Sequence, residues 1–276
     1  MSPVQPTDPA VAEVSARRVR DGIDVAELDR LAVEAPLELR IDGRAFTVLM
    51  RTPGADEELA LGFLFGEGII ASRRDVARIG RPPDLLADDC ANFLDLSFAE
   101  GRVSPPIGRT FYASASCGVC GKTSIADLVV RAPVIESPLQ VAQTLLAELP
   151  DRLRAAQPAF AATGGLHGAA LFDAGGALLA AREDVGRHNA VDKLVGWALA
   201  SGRLPLSEAI LFVSGRAGFE ILQKAIVAGI PVVGAVGAAS TLAVALAERF
   251  GVALATFVRP GSLNLFGNLR RVRAAC

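Results

Sequence analysis

The chain has 276 residues, 51% of them apolar, and a net charge of −2, which is enough for a substantial core in one or two domains and leaves no electrostatic footprint for nucleic acid. No apolar run reaches the length of a membrane span, and the first ten residues lack the basic-then-apolar order of a signal peptide. Four cysteines, two of them close together, fit a reducing compartment better than a disulfide framework, so the expectation is a cytoplasmic protein with neither a membrane nor a nucleic-acid partner.

Prolines at 3, 6 and 9, followed by polar and small residues, read as a flexible leader over residues 1–30, with order beginning near Val33. Residues 31–112 read as a small N-terminal α+β domain. In it, strands over 37–41 and 46–50 flank Asp42-Gly43, a hairpin signal, and 56–65 is expected as a helix with acidic residues in its first turn. A further strand is expected over 91–98. Pro105 and Pro106 separate this unit from a glycine-flanked cysteine pair, and residues 113–276 read as an α/β domain carrying that loop. There, 139–153 places apolar side chains at 142, 145, 146, 149 and 153, a helical stripe that packs on a core. Strands over 166–172 and 177–181 join around Gly175-Gly176, and a helix is expected over 189–200. From Ala209 the pattern alternates: strand to Val213, helix 219–227, strand 232–236, helix 242–250, strand 252–258. Such alternation implies a partly parallel sheet with helices on both faces. The continuous apolar run Ile210-Leu211-Phe212-Val213 is what burial on both faces demands.

The cysteine pair lies in Ser116-Cys117-Gly118-Val119-Cys120-Gly121-Lys122. Its glycines permit tight or positive-φ backbone and expose main-chain N–H groups, while Lys122 favours thiolate over thiol. Because the thiolate is the nucleophile, Cys117 and Cys120 are the first candidates for an active site. By itself a CxxC pair in an intracellular protein is equally a zinc half-site or a redox pair. Structural zinc takes four ligands, whereas Cys90, Cys276, His167 and His188 stand isolated, so no metal site is expected. A thioredoxin-like pair would open a helix, for which 125–130 is the available segment, but the doubled glycines argue for a looser loop. Gly121-Lys122-Thr123 imitates the end of a phosphate-binding loop, yet the glycine required five positions earlier is Ser116.

Two polar constellations follow. Ser214-Gly215-Arg216 sits between a strand and a helix, where open α/β sheets gather anionic ligands, although an ordinary turn with a solvent-facing arginine has the same sequence. Arg182-Glu183-Asp184-Val185-Gly186-Arg187-His188-Asn189, with Asp192 and Lys193, is a dense polar run beside a buried strand. His167 and His188 both stand at glycine-rich strand-to-loop positions, which favours function over a core role. The closing Arg270-Arg271-Val272-Arg273 reads as a solvated end.

Taken together, Arg51-Thr52-Pro53-Gly54, Glu57-Glu58-Leu59-Ala60-Leu61-Gly62-Phe63-Leu64, the cysteine loop, Gly164-Gly165-Leu166-His167, the Arg182 to Lys193 block and Ser214-Gly215-Arg216 resemble the FdhD family of formate dehydrogenase accessory sulfurtransferases, in the family's order from about Val33 to Phe266. The resemblance implies a cytidine-deaminase-like three-layer α/β/α domain preceded by a small α+β domain, and a homodimer. It implies a cytoplasmic sulfur carrier that takes sulfane sulfur from a cysteine desulfurase and passes it to the molybdenum cofactor, bis(molybdopterin guanine dinucleotide), before that cofactor enters formate dehydrogenase. Cys117 would hold the persulfide, with Cys120 assisting or relaying. Phe257, Val258, Arg259, Pro260, Gly261 and Ser262 would bind part of the guanine end of this bound substrate. His167 joins the cofactor-binding set, and Arg216 and Arg259 would hold phosphates. Deaminase chemistry does not follow, because the H-x-E and P-C-x-x-C signatures are absent. The chain departs from the family pattern at Gly168, Gly218 and Phe266, where alanine, serine and tyrosine are expected. Two other functions remain open on the residues: a dithiol oxidoreductase, and a noncatalytic molybdenum-cofactor chaperone.

Overall fold

The computed structural model describes residues 8–82, 90–101, 111–113 and 132–274; Cys117, Cys120, Lys122, the segment 125–130 and Cys276 lie outside them. Order begins earlier than the expected leader allows. β1 (Val11–Arg20) and β2 (Ile23–Ala32) form an antiparallel hairpin paired along its whole length. Charged residues occupy much of both faces and are neutralised across the strands, Arg17 by Asp24, Arg18 by Glu27 and Arg30 by Glu13. The apolar alternation that marks a half-buried strand is therefore missing from the sequence.

β3 (Ala35–Ile41) and β4 (Arg44–Arg51) are joined by Asp42 and Gly43, whose φ values of 52° and 75° are those a two-residue hairpin loop requires. α1 (Asp56–Gly66) follows, with Asp56, Glu57 and Glu58 complementing the dipole of its first turn. β5 (Val76–Gly80), β6 (Phe93–Phe98) and β7 (Phe111–Ala113) complete a five-stranded sheet of order β5-β6-β3-β4-β7. Leu37, Leu39, Leu59, Leu64 and Leu94 fill the core between this sheet and α1.

After β8 (Val141–Ala142) come α2 (Gln143–Ala155) and α3 (Pro158–Thr163), then β9 (His167–Phe172) and β10 (Leu178–Asp184). α4 (Arg187–Ala200), β11 (Ile210–Val213), α5 (Phe219–Val227), β12 (Val232–Ala235) and α6 (Thr241–Phe250) precede the closing hairpin of β13 (Ala253–Arg259) and β14 (Ser262–Gly267). The large sheet has the order β10-β9-β11-β12-β13-β14, parallel only across β11, β12 and β13. β15 (Val272–Arg273) pairs with β8 outside it.

Alternate residues of these strands feed two cores, as the two-residue strand period requires. Leu171, Leu211, Val213, Val233 and Leu254 pack with α4, α5 and α6, whereas Phe172, Ile210, Phe212, Val232 and Ala253 pack with Leu146, Leu149 and Leu153 of α2. The result is a three-layer α/β/α arrangement.

α1 is the seam between the two sheets, since it packs both on its own sheet and along α4. The helices approach backbone to backbone. A Cβ built at Gly62 would lie 1.8 Å from the Asp192 carbonyl oxygen, and one at Gly196 would lie 1.8 Å from that of Glu58.

Candidate functional site

β9 runs antiparallel to β11, which brings His167, at its amino end, to the edge where β11, β12 and β13 end. Backbone hydrogen bonds knit the turns along this edge. The Ser214 N–H donates to the Gly168 carbonyl and the Gly168 N–H donates back to Ser214 Oγ, both at 2.9 Å. The Gly237 N–H donates to Gly215 O at 3.0 Å and the Phe257 N–H donates to Gly237 O at 3.1 Å. Gly237 permits this closeness, because a Cβ there would sit 2.9 Å from the Gly215 oxygen. The sequence-predicted turns at 214–216 and 257–262 thus share one rim.

Phe257–Ser262 is the bend of the β13–β14 hairpin, with Arg259 paired to Ser262 around Pro260-Gly261 and the register broken after Thr256. Gly261 has φ 75°, as the third position of a Pro-Gly turn demands. Phe257 has φ 50° and is 44% exposed. A bulky residue in the left-handed region costs on the order of 1–3 kcal/mol and persists only where its surroundings impose it. Arg216 and Arg259 are exposed and have no ion-pair partner among the described residues, so both guanidinium groups are free to meet an anion.

A groove of about 420 Å³ opens at the same edge on the α2 side, lined by Arg154, Gln157, Phe160, His167, Ser214 and Val236 among others. Burial, with Arg187 and His188 nearby, holds the His167 pKa below its usual 6.5, so the ring is neutral at pH 7 and offers one donor and one acceptor. A larger cavity of about 720 Å³ lies at the opposite edge, beside Asp173, Gly175 and Ala209, and none of the candidate site residues lines it.

The Arg182 to Lys193 block has a different role from the one its polarity invites. Arg182 faces α1 and Asp184 faces α4 and the segment that precedes α1, whereas Glu183, between them, faces α3, as alternation along β10 dictates. Arg182 grips Glu58 with two bonds of 2.6 and 2.7 Å. Glu183 accepts the Ala159 and Phe160 N–H groups at 3.0 and 2.7 Å, satisfying the amino end of α3. Asp184, fully buried, accepts from the Thr52 N–H at 3.1 Å and the Gly186 N–H at 2.8 Å, and pairs with Lys193 at 2.7 Å. Lys193 also donates to the Thr52 carbonyl, and Asn189 to that of Met50. The block is a joint between the two sheets.

Two sequence readings are corrected. His188 is not in a loop but in the first turn of α4, 6% exposed, with Nε2 3.1 Å from Glu220 Oε2. Arg271 is no solvated end: it is 5% exposed and donates to the carbonyls of Gly251, Ser137 and Ile135. Phe266, where a tyrosine was expected, packs against the core beneath α6. Gln157 carries no motif and was not foreseen; its only sequence signal is the following Pro158, which opens α3.

Cys117 and Cys120 lie outside the described residues, of which Ala113 is the last before them. Ala113 pairs with Leu49 on β4, and three residues further along that strand direction Thr52 meets Asp184, which itself pairs with His167. Among the described residues no group of three or more His, Cys, Asp or Glu is placed to hold a metal ion, and no helix is long and apolar enough to cross a membrane.

The chain is similar to known proteins of one family. The model of the FdhD/NarQ family matches residues 32–273. A protein of Mycobacterium tuberculosis named sulfur carrier protein FdhD is 50% identical over 254 residues, covering 88% of this chain and 92% of its own length. The protein of that name from Streptomyces coelicolor is 48% identical over 262 residues, covering 92% and 93%. Among solved structures, one from Desulfotalea psychrophila, described as a formate dehydrogenase accessory protein, superposes with a TM-score of 0.73 at 23% identity over 96% of this chain and all of the other.

Proposed function

Because this chain belongs to the FdhD/NarQ family, we propose that it is a sulfur carrier of formate dehydrogenase maturation, loaded as a persulfide on Cys117 by a cysteine desulfurase and unloaded onto the molybdenum cofactor. In the loading step the Cys117 thiolate attacks the terminal sulfur of the donor's persulfide. A new S–S bond forms, and the donor cysteine leaves as thiolate with the electrons of the bond that breaks. Cys120, three residues further along the chain, assists or relays. The protein acts as a cytoplasmic homodimer, and bis(molybdopterin guanine dinucleotide) is its bound substrate.

One observation carries the reading: His167, Ser214-Gly215-Arg216 and Phe257–Ser262, all singled out in the sequence, converge on one rim at the carboxyl edge of the large sheet. Arg216 and Arg259 offer charge-assisted contacts to the cofactor's phosphates, and the strained Phe257 is the kind of outlier that clusters at ligand clamps.

Intact mass spectrometry after incubation with a desulfurase and cysteine tests it. One added sulfur should appear on Cys117, and Cys117→Ala should neither gain sulfur nor activate formate dehydrogenase. A Cys117–Cys120 disulfide in place of a persulfide would make the protein an oxidoreductase. Full activation with both cysteines removed would make it a chaperone, and either outcome sinks the carrier reading.

A further inference from the structure

The β1–β2 hairpin carries half of the twelve large apolar side chains that the described residues expose: Val14, Val19, Ile23, Val25, Leu28 and Leu31. It belongs to neither of the larger sheets and rests on the protein through α3. A two-stranded hairpin is marginally stable in water unless further strands or a helix support it. The FdhD/NarQ family model begins at residue 32, the last of β2, so the hairpin lies outside what that model describes.

The outer edge of β1 is open, since no strand pairs with it among the described residues. The edge strands β5 and β10 of the larger sheets are interrupted by register shifts, which blunt an edge against pairing. β1 has no such protection: its ten residues pair with β2 in unbroken register and include neither proline nor glycine. Which of its groups face outwards follows from the two-residue loop Asp21-Gly22. The closing pair Arg20–Ile23 is hydrogen-bonded, and so is every second pair after it. At the far end of that ladder the Val33 N–H donates to Ala10 O at 2.9 Å, whereas the Val11 N–H turns away from β2 to Asp8 O. The odd-numbered residues of β1 therefore direct their N–H and C=O groups to the open edge.

Those residues are Val11, Glu13, Ser15, Arg17 and Val19, an order that complements itself. Laid antiparallel to a copy of itself about Ser15, the strand sets Glu13 against Arg17 and Val11 against Val19. Every other register of the outward groups separates these charges, and two registers set like against like. Within 11–32 four arginines stand against five acidic residues, which gives an anionic lipid surface nothing to hold. We propose that β1 pairs with β1 of a second copy about a two-fold axis at Ser15, joining the two hairpins into one four-stranded sheet. Glu13, held by Arg30 within its own hairpin, then lies between Arg30 and the partner's Arg17, and opposite charges in adjacent strands stabilise a sheet. The inference rests on the reading of the protein as a homodimer and gives that dimer a surface.

Sedimentation equilibrium of the full chain should give the mass of two chains. Ser15→Pro removes only an outward N–H, which an edge strand tolerates. It should raise the dissociation constant by about thirtyfold or more, because each copy loses a hydrogen bond across the edge. Ser15→Cys gives an answer that needs no disruption. Residues facing each other in a hydrogen-bonded antiparallel pair have Cα atoms about 5.5 Å apart, within disulfide reach. On mild oxidation the two copies should link through position 15, identified by mass spectrometry of the joined peptide. Leu28→Cys, three strand spacings from its counterpart, should not link. Persulfide formation on Cys117 in Ser15→Pro should match the wild type, which tells failure of this surface apart from failure of the carrier reading. A monomeric wild type, a dimer that Ser15→Pro leaves as tight, or no link between the two positions 15 would overturn the proposal.

Discussion

Glu220, in the first turn of α5, is held down to a pKa of about 2, first by its hydrogen-bonding contact with His188, against a smaller opposing effect of burial. Its ordinary value is 4.5. A carboxylate with a depressed folded pKa contributes stability that is complete above the unfolded value and fades as pH falls towards the folded one. The His188–Glu220 pair should therefore stabilise the fold above about pH 4.5 and be lost progressively towards pH 2. Asp56 acts in the same sense: burial pushes it up, but Arg51 and Arg81 together hold it below its usual range. Urea midpoints measured from about pH 6 down to pH 3 should show an acid-side loss that Glu220→Gln makes shallower. An unchanged slope in that variant would remove this pair from the acid response. None of this was legible in the sequence, where His188 looked like a loop residue; its burial depends on α5 arriving from thirty residues downstream.

At the scale of elements, what the sequence made legible followed from how each element meets its surroundings. α5 was expected over 219–227 and is found there, because a helix with one buried stripe and a polar face carries a clear 3.6-residue period. β11 was as clear, being apolar throughout and buried on both faces. The β1–β2 hairpin was not, since its charges are satisfied across the strands and imitate a solvated leader. β14 was hidden because it follows β13 after only Pro260 and Gly261 and buries little. The crossing of α1 on α4 lies between these cases: Gly62 and Gly196 are visible as glycines inside helices, but only their meeting explains them. Each faces a carbonyl oxygen of the opposite helix, and backbone cannot step aside as a flexible side chain can. Gly62→Ala and Gly196→Ala are each expected to cost about 3 kcal/mol or more by forcing the helices apart, against the smaller gain in helix propensity that alanine brings. Chemical denaturation measures it. A neutral or stabilising effect of both substitutions would show that the crossing has slack that the distances deny.

The two sheets have separate cores, and the contacts that join them predict that the molecule unfolds as one. The residues of the joint were visible in the sequence as a dense polar run, and their partners were not, because Thr52 and Glu58 lie more than a hundred positions from Asp184 and Arg182 along the chain. A sequence shows that charges are clustered; only the fold shows that α1 and β4 come to meet them. Asp184 is the centre of this joint, wholly buried, accepting N–H groups from Thr52, Gly186 and Asn189 and pairing with Lys193, itself 2% exposed. Breaking a buried pair from one side leaves an uncompensated charge, at a cost of about 3–5 kcal/mol, so Asp184→Ala should lose stability on that order. The loss should be shared by the whole molecule, because Lys193 lies on the helix that α1 packs against and the joint spans both sheets. Trp197, the only tryptophan, sits on the same helix and reports on that core, while far-UV circular dichroism reports on both sheets together. In the wild type and in Asp184→Ala the two signals should melt at coincident midpoints, displaced together in the variant, as two-state unfolding requires. A fluorescence midpoint that falls while most of the dichroism persists would mean that the sheets unfold independently, and that the joint aligns them without binding their stabilities into one.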